Sequence, residues 1–484
     1  MNNTISLKRN FVMNTLLTIS SFIFPLISFP YVSRVLLPTG TGKINFVTSI
    51  IAYFSMFAQM GIPTYGIRAC AKVRDNREEL SKTVQELLII NLIMNCVVYI
   101  VLAIAIATIP KLHEEKTLFI LMSSSIILSS IGIEWLYKAL EQYSYITIRS
   151  MIFKLISLAL LFLFVHKKED YVVYGAITIF SASASNILNL LNAHKFIEFR
   201  RVGNYNLKRH LKPIGVFFAL VCAATIYTNI DNVMLGFMTS DADVGYYGAA
   251  VKIKTILVSI VTALGTVLLP RVSYYVEHGE DREYKRVIEK AYNFVILLAL
   301  PLTIYFIFFA KEGILLLSGD AYHDSIVPMQ VIMPTLIIIG ISNILGLQIL
   351  VPTNRERTVL KAEIIGAMVD IIINLALISS LRSTGAAIGT LVAEGVVLYC
   401  EYRVLRKEIY DSIHKVNYAT YIVGIFIAAL LSVWVKYLSI SNFWKLAFSS
   451  MLFFGGYILV LIQKKEQLTA EMIKLLNSKL FKKI

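Results

Sequence analysis

Long apolar runs recur along the whole chain and constrain its fold more than any other feature. A helix needs about 20 apolar residues to cross the hydrocarbon core of a bilayer. Apolar residues make up 57% of the 484 residues and charged residues only 16%, and the mean hydropathy is +0.69. This composition lies outside the range of soluble domains. The chain is therefore predicted to be an all-α polytopic membrane protein.

The apolar runs predict about fourteen transmembrane helices. The predicted spans cover residues 11–33, 43–65, 84–109, 117–140, 149–166, 172–194, 213–238, 246–269, 288–310, 326–351, 361–381, 385–402, 418–438 and 443–463. We expect three domains: an N-terminal six-helix bundle at 1–205, a C-terminal six-helix bundle at 206–405, and two additional helices with an amphipathic cytoplasmic tail at 406–484.

The distribution of basic residues predicts the orientation of the chain. If the N-terminus is cytoplasmic, the inner loops and tails hold roughly three times as many Lys and Arg residues as the outer loops. Both termini are therefore predicted to be cytoplasmic in a multi-pass membrane protein. The net charge of +15 is explained by this topology and by attraction to anionic membrane lipids, so no nucleic-acid partner is expected.

The two predicted bundles contain related segments. The sequence P-T-G-T-G-K-I-N-F-V-T follows the first predicted span, and S-D-A-D-V-G-Y-Y-G-A-A follows the seventh. Aligning Gly42 with Gly245 also aligns Arg68 with Arg271. An even number of spans separates the copies, so the bundles are expected to be pseudo-symmetric about an axis along the membrane normal and to enclose a central cavity.

Cationic side chains in and beside the spans are candidates for that cavity, because charge in an apolar span is costly. Lys252 and Lys254 lie too deep in the eighth span to reach the headgroups easily. In the first bundle the alternative role, an interfacial anchor, stays open for each residue. The candidate substrate-binding residues are Lys252, Arg34, Arg68, Lys154, Lys254 and Arg271.

Acidic residues in the spans are candidates for ion coupling. Asp370 lies midway along the eleventh span, with Asn374 one turn later, and Glu394 lies midway along the twelfth. The alternative is a neutral or hydrogen-bonded acid that holds these two helices together. Asp231 lies near the outer end of the seventh span, where a solvated helix terminus explains it equally well.

The sequence lacks features of several other classes of protein. It has no Walker A sequence, no Gly-rich phosphate loop and no soluble segment long enough for a nucleotide-binding domain. The four cysteines are scattered and do not indicate a metal site. We therefore expect no enzymatic activity, no cofactor, no metal and no transport driven by ATP bound to this chain.

Five motifs resemble those of the polysaccharide repeat-unit flippases (Wzx type) of the multidrug, oligosaccharidyl-lipid and polysaccharide exporter superfamily. They are F-P-Y-V-S-R-V-L-L-P-T-G-T-G at 29–42, G-I-P-T-Y-G-I-R at 61–68, Y-T-N-I-D-N-V-M-L-G at 227–236, V-G-Y-Y-G-A-A-V-K-I at 244–253 and L-L-P-R at 268–271. The resemblance covers residues 1–405.

This resemblance implies a function at the bacterial inner membrane. It implies alternating access and inner-to-outer translocation of an undecaprenyl-pyrophosphate-linked oligosaccharide for O-antigen (lipopolysaccharide), capsule or exopolysaccharide. Coupling to H⁺ or Na⁺, and partners such as a polysaccharide polymerase and chain-length proteins, belong to the same expectation. Lys252 falls where the related lipid II flippases have a cavity arginine; lysine keeps the charge but lacks the bidentate fork of arginine.

Three alternative functions remain open at this stage. They are a cation-coupled multidrug exporter, a lipid II flippase and a non-transporting scaffold for glycan assembly. The first predicted span lacks the acidic residue that one branch of the multidrug exporters uses, and it also lacks the interior arginines of the lipid II flippases. These departures argue against drug export and against lipid II as the substrate without excluding either.

Overall fold

The computed structural model describes residues 7–414 and 416–471. Within those ranges the structure is helical and no residue forms a β-strand. The α-helices are α1 (Leu7–Gln59), α2 (Ile62–Val73), α3 (Arg77–Thr108), α4 (Pro110–Glu114), α5 (Lys116–Ile131), α6 (Glu134–Ala139), α7 (Tyr143–Phe164), α8 (Tyr171–Ile179), α9 (Ser185–Asn192), α10 (Lys208–Met238), α11 (Asp241–Glu277), α12 (Asp281–Phe308), α13 (Ala310–Ser318), α14 (Ile326–Ile332), α15 (Thr335–Asn343), α16 (Glu356–His414), α17 (Tyr418–Val433) and α18 (Asn442–Gln463).

Short segments of other helical types interrupt or join these elements. Two π-helices occupy Phe180–Ala184 and Ile344–Leu350. Four 3₁₀ segments cover Lys168–Asp170, Ala193–Lys195, Asp320–Ser325 and Trp434–Tyr437. π-Helical turns are uncommon and are often found at functional sites.

Two of the helices are long and broken, and each covers two predicted spans. In α1 the break is at Leu37, with φ of 62° and ψ of 176°. Pro38 follows it, and a residue before proline is disfavoured in the α conformation, which explains the position of this break. In α16 the break is at Arg382, with φ of 51°. Both breaks fall between predicted spans.

Eleven helices in the described chain are long and apolar enough to cross a membrane, or twelve if one bent pair is a single span. The pair is Asp320–Ile332 with Thr335–Leu350, bent by 46°. Many large apolar side chains of these helices are exposed, among them Leu430 at 64% and Met451 at 76%, as expected for surfaces that face lipid. The predicted all-α multi-pass membrane fold is confirmed; the count of fourteen stays a prediction.

The chain divides into two compact units that meet in sequence between Gly245 and Tyr246. The first unit has a buried apolar core where α2, α3 and α6 meet, and the ring of Trp135 packs directly on Gly66. The second unit includes α17 and α18, which pack on each other, with Tyr457 against Gly424. The three predicted domains, with boundaries after residues 205 and 405, stay predictions.

The predicted amphipathic tail begins at Gln467, and residues 467–471 are helical. Its remaining residues lie outside the described part of the chain.

Candidate functional site

In the first unit, the break in α1 and the turn between α10 and α11 approach each other backbone to backbone. A Cβ atom on Gly42 would lie 1.7 Å from the carbonyl oxygen of Asp241, and one on Gly245 would lie 2.0 Å from the carbonyl oxygen of Pro38. Any other residue would therefore force the two segments apart. The repeat alignment pairs these same two glycines. Each of them packs against the segment that contains the other.

Two ion pairs flank this contact between the glycine segments. The Nζ of Lys111 lies 2.8 Å from an Oδ1 of Asp241. Lys43 pairs with Glu115, whose other carboxylate oxygen accepts a hydrogen bond of 2.9 Å from the hydroxyl of Tyr171. All five side chains belong to segments that the topology predicts on the external side. We call this end of the first unit, defined by Gly42, Gly245 and the two ion pairs, the glycine contact.

The second half of α1 packs along α10 over its whole length. Near the glycine contact, the ring of Phe46 packs on Gly236. Further along, the side-chain amide of Asn232 donates to the hydroxyl of Ser49 at 3.2 Å. At the opposite end, Gly61 meets the backbone of α10 at residues 217–218, where a Cβ would lie 2.6 Å from a backbone nitrogen. The two segments are therefore in contact near both ends and in the middle.

A buried carboxylate fastens the other end of α10. Glu86 on α3 is completely buried and accepts from Arg209 Nη2 at 2.6 Å and from the backbone N–H of Asn206 at 2.6 Å. Its Oε2 lies 2.7 Å from Nε2 of His210, and Nδ1 of that ring lies 2.8 Å from the hydroxyl of Tyr65 on α2. This network ties α2, α3 and α10 together at the end that the topology predicts as cytoplasmic.

Three of the predicted substrate-binding residues lie in the first unit. Arg34 is exposed and its Nη1 donates to the carbonyl of Pro30 at 2.6 Å. Arg68 is exposed on α2. Lys154 is half-buried, and its ammonium group donates to the hydroxyls of Ser20 and Ser21 at 2.9 and 3.1 Å. The structure thus gives Lys154 neutral hydroxyl partners on α1.

The other three predicted substrate-binding residues lie in the second unit, all on α11. Lys252 and Lys254 are half-buried, and Arg271 is exposed. We predicted that the six cations form one ring and that they contact the substrate. Both statements stay predictions.

Of the predicted ion-coupling residues, Asp370 has the most enclosed surroundings. Its side chain is 1% exposed and accepts a hydrogen bond of 3.3 Å from the side-chain amide of Asn374. Gly389 packs against both side chains, because a Cβ there would lie 2.3 Å from Asn374 Oδ1 and 2.8 Å from Asp370 Oδ1. The next residue, Thr390, shares a hydrogen bond of 2.8 Å with the hydroxyl of Tyr247. The two halves of α16 therefore meet at a polar, water-excluding cluster.

The other two ion-coupling candidates differ in burial. Asp231 on α10 is 7% exposed and lies two turns before the helix ends at Met238, so the solvated-terminus alternative does not describe it. Glu394 is half-buried on α16. Among the described residues, no group of three or more His, Cys, Asp or Glu side chains is arranged to hold a metal ion.

Sequence reasoning missed a nearly buried arginine in the first unit. Arg149 on α7 donates from Nη1 to the carbonyl of Ser185, directly after the first π-helix, at 2.8 Å. Its Nη2 lies 3.5 Å from a carboxylate oxygen of Glu134, which also pairs with Lys138 at 2.9 Å. The sequence does contain a signal for this ion pair. Arg149 begins one predicted apolar span, and Glu134 lies near the end of the preceding span.

Comparison with known proteins places the chain in a family. The model of the family described as "Polysaccharide biosynthesis protein" matches residues 7–276, and that of MatE matches residues 217–376. The "Putative O-antigen transporter" of Escherichia coli (strain K12) is 22% identical over 82% of this chain and 95% of its own length. The "Probable low-salt glycan biosynthesis flippase Agl15" of Haloferax volcanii is 23% identical over 47% of each chain.

A solved structure shares the fold. The inward closed conformation of the lipid II flippase MurJ superposes with a TM-score of 0.74 at 14% identity, covering 94% of this chain and 99% of that one. Since the first family model spans more than half of its length, the chain belongs to the polysaccharide biosynthesis protein family, and its resemblance to the Wzx-type flippases of the multidrug, oligosaccharidyl-lipid and polysaccharide exporter superfamily is confirmed.

Proposed function

We propose that this protein flips a polyprenyl-pyrophosphate-linked oligosaccharide repeat unit from the inner to the outer leaflet of the bacterial plasma membrane. The glycan is a precursor of O-antigen, capsule or exopolysaccharide, and both termini of the protein are cytoplasmic. The family membership supports this proposal, as do the relatives described as an O-antigen transporter and a glycan biosynthesis flippase.

The structural observation that carries the proposal is the glycine contact. Segments related by the internal repeat close against each other at the end predicted to be external, without side chains between them. Alternating access requires such an end to be closed while substrate enters from the opposite side and to separate afterwards. This contact consists of glycine backbone and two partly exposed ion pairs, so it buries little apolar surface. The free energy needed to separate the two segments at this contact is therefore small.

Cationic side chains give the pyrophosphate its partners during the crossing. An unpaired anion in the hydrocarbon core is prohibitively costly. Lys252, half-buried on α11, is our first assignment for this role, with Arg34, Arg68, Lys154, Lys254 and Arg271 as further contributors. Lysine neutralises phosphate as a point charge, which suits a transient contact during transport.

An ion gradient supplies the direction in this proposal. Moving one charge across a potential of 100 mV is worth about 2.3 kcal/mol. Asp370, with Asn374 and Thr390 in the same buried polar cluster, is the main candidate for binding the coupling H⁺ or Na⁺. Asp231 and Glu394 are the secondary candidates.

Reconstitution tests the flippase assignment directly. Purified protein in liposomes is given a fluorescent undecaprenyl-pyrophosphate oligosaccharide, and its transfer between leaflets is followed by chemical quenching from outside. We expect transfer with wild-type protein, loss with Lys252→Ala, and retention with Lys252→Arg. Lys285→Ala, at an exposed lysine on α12, is the matched control. Full transfer by Lys252→Ala would remove that residue from the site.

The second candidate function is cation-coupled multidrug export. The observation that favours it is the match of residues 217–376 to the MatE model, a range that contains Asp231 and Asp370. Exporter activity predicts that deleting the gene sensitises cells to cationic drugs, and that Asp370→Asn fails to restore resistance. If drug susceptibility is unchanged and lipid-linked glycan accumulates on the inner leaflet, drug export is excluded and the flippase function is supported.

A further inference from the structure

Glu401 is a buried carboxyl that the proposed transport cycle does not use. It lies on the second half of α16, after the break at Arg382, and only 1% of its surface is exposed. Its Oε2 lies 2.6 Å from the hydroxyl oxygen of Ser342, near the end of α15. No lysine, arginine or histidine among the described residues forms an ion pair with it.

The second oxygen of Glu401 faces a π-helix. The segment Ile344–Leu350 directly follows α15, and a Cβ on its Gly346 would lie only 2.8 Å from Glu401 Oε1. One carboxyl therefore contacts α15 through Ser342 and the π-helix through Gly346. The wide π turn and the missing side chain together make room for the acid.

The charges that act on Glu401 are negative. Glu363 and Glu394, both on α16, interact with it electrostatically. No residue of α14, α15 or the π-helix is titratable. Arg355, before α16, is engaged by both carboxylate oxygens of Glu408 at 2.7 and 2.8 Å. Glu401 thus has no cationic partner among these elements.

Two further elements contact α16 or the π-helix, namely α11 and α12. Tyr247 on α11 bonds to Thr390, and Gly265 on α11 packs against Gln348 of the π-helix. The cations of α11 (Lys252, Lys254 and Arg271) are not among the groups that act on Glu401.

The cations of α12 are engaged or exposed. Lys290 pairs with Glu471 at 2.8 Å, and the hydroxyl of Tyr292 accepts from Tyr418 at 3.0 Å. Arg282, Lys285 and Arg286 are exposed. An ionised carboxylate that is buried without a cation, beside two other acids, is far more costly than its neutral form.

We propose that Glu401 is a proton-binding site whose bound proton lets the π-helix Ile344–Leu350 pack against α16. The proton comes from water at the end of α16 that the topology predicts as cytoplasmic, and it binds to one carboxyl oxygen. Its loss leaves a carboxylate that repels Glu363 and Glu394 and favours separation of the π-helix from α16. The site itself stands apart from the flippase assignment; only a link between this movement and transport rests on the proposed function.

Infrared spectroscopy tests the site without any transport substrate. A protonated buried carboxyl gives a C=O stretching band that is distinct from that of a carboxylate, and a pH titration of purified protein in nanodiscs reveals it as a difference band. We expect Glu401→Gln to remove that band and Ser342→Ala to shift it, since its hydrogen-bond partner is lost. A difference spectrum that Glu401→Gln leaves unchanged would overturn the proposal.

A pair of glycine variants tests the contact with the π-helix. Gly346→Ala places a methyl group against the carboxyl, and we expect it to shift the Glu401 band. Gly395→Ala is the matched control on α16, because nothing lies within 4 Å of the added Cβ, and we expect it to leave the band in place. Equal spectra for the two variants would overturn the contact. If wild-type protein shows the infrared band but transfers no glycan in liposomes, the flippase function is contradicted and the proton-binding site is still supported.

Discussion

Gly42 and Gly245 pack against each other's backbone segments, so that a Cβ on Gly42 would lie 2.9 Å from the backbone nitrogen of Gly245. The sequence repeat pairs the same two residues across predicted bundles. The predicted pseudo-twofold axis would pass close to this contact, because equivalent positions of a twofold repeat meet only near the axis. We propose that separation of the two segments opens this end of the first unit.

We predict that Gly42→Ala disrupts this contact. The added methyl group meets a backbone carbonyl that has no rotamer to relax, so we expect a loss of about 1–3 kcal/mol from the closed conformation. Gly215→Ala on α10, where nothing lies within 4 Å, should leave it unchanged.

Thiol labelling measures the expected opening. Thr41 is 6% exposed beside Gly42, so a Thr41→Cys variant that lacks the four native cysteines reports access to the contact. We expect a membrane-impermeant maleimide to react faster when Gly42→Ala is also present. Equal labelling rates in both backgrounds would contradict the assignment of this contact as a gate.

We predict measurable coupling between Lys111 and Asp241. Their side chains are 24% and 15% exposed, so solvent screens the pair only in part, and we expect a coupling free energy of about 0.5–1 kcal/mol. A double-mutant cycle with Lys111→Met and Asp241→Asn, followed by thermal unfolding in detergent, measures it. Purely additive effects of the two substitutions would show that the pair contributes nothing.

We predict that Glu86→Gln destabilises the first unit. It leaves the guanidinium of Arg209, which is 37% exposed, beside a neutral amide, and the loss of charge-assisted hydrogen bonds to this buried acid costs about 1–3 kcal/mol. The thermal midpoint in detergent should fall by several degrees. Glu78→Gln, at an exposed position on the same helix, should change it little; a similar fall in both variants would argue against a special role for Glu86.

The start of the C-terminal tail should detach in acid. Glu466 lies beyond α18 and accepts hydrogen bonds from Thr469, from Leu468 N–H and from Asn293. Burial alone would raise its pKa, but these hydrogen bonds lower the pKa below its ordinary value. Its stabilising contribution is therefore complete above the unfolded pKa of about 4.3 and is lost as the pH falls through the lower folded value.

Limited proteolysis of the tail as a function of pH measures that attachment. We expect protection at neutral pH and cleavage only in strong acid for the wild type, and cleavage at all pH values for Glu466→Ala. Glu471→Gln is the control, because its pair with Lys290 is about 41% exposed on both sides and contributes little. Protection of Glu466→Ala at neutral pH would contradict this role.

We predict that Asp370→Asn abolishes the dependence of transport on an ion gradient. The substitution keeps the size of the side chain while removing its charge from the cluster with Asn374. Transport into liposomes is compared with imposed Na⁺ or pH gradients and without them. Asp324→Asn, at an exposed position, is the control, and a persistent gradient effect in Asp370→Asn would remove Asp370 from the coupling site.

The class of fold and the breaks in the two longest helices follow from the pattern of residues along the chain. Apolar runs of about 20 residues leave a chain no alternative to crossing a membrane as helices, and Pro38 explains the break at Leu37 in α1. The repeat also indicated the equivalence of Gly42 and Gly245. These features are local, or are periodic along the chain, so the sequence carries them directly.

The pairing of polar groups, in contrast, depends on how the helices pack. Arg149 reaches the carbonyl of Ser185, Glu86 reaches Arg209, and Glu401 reaches Ser342, across separations of 36, 123 and 59 residues. An apolar span reveals its length but not the rotation of its faces, because lipid and protein interior are both apolar. The partner of a charge inside such a span is therefore fixed by helix packing, which determined where the buried acids of this protein lie.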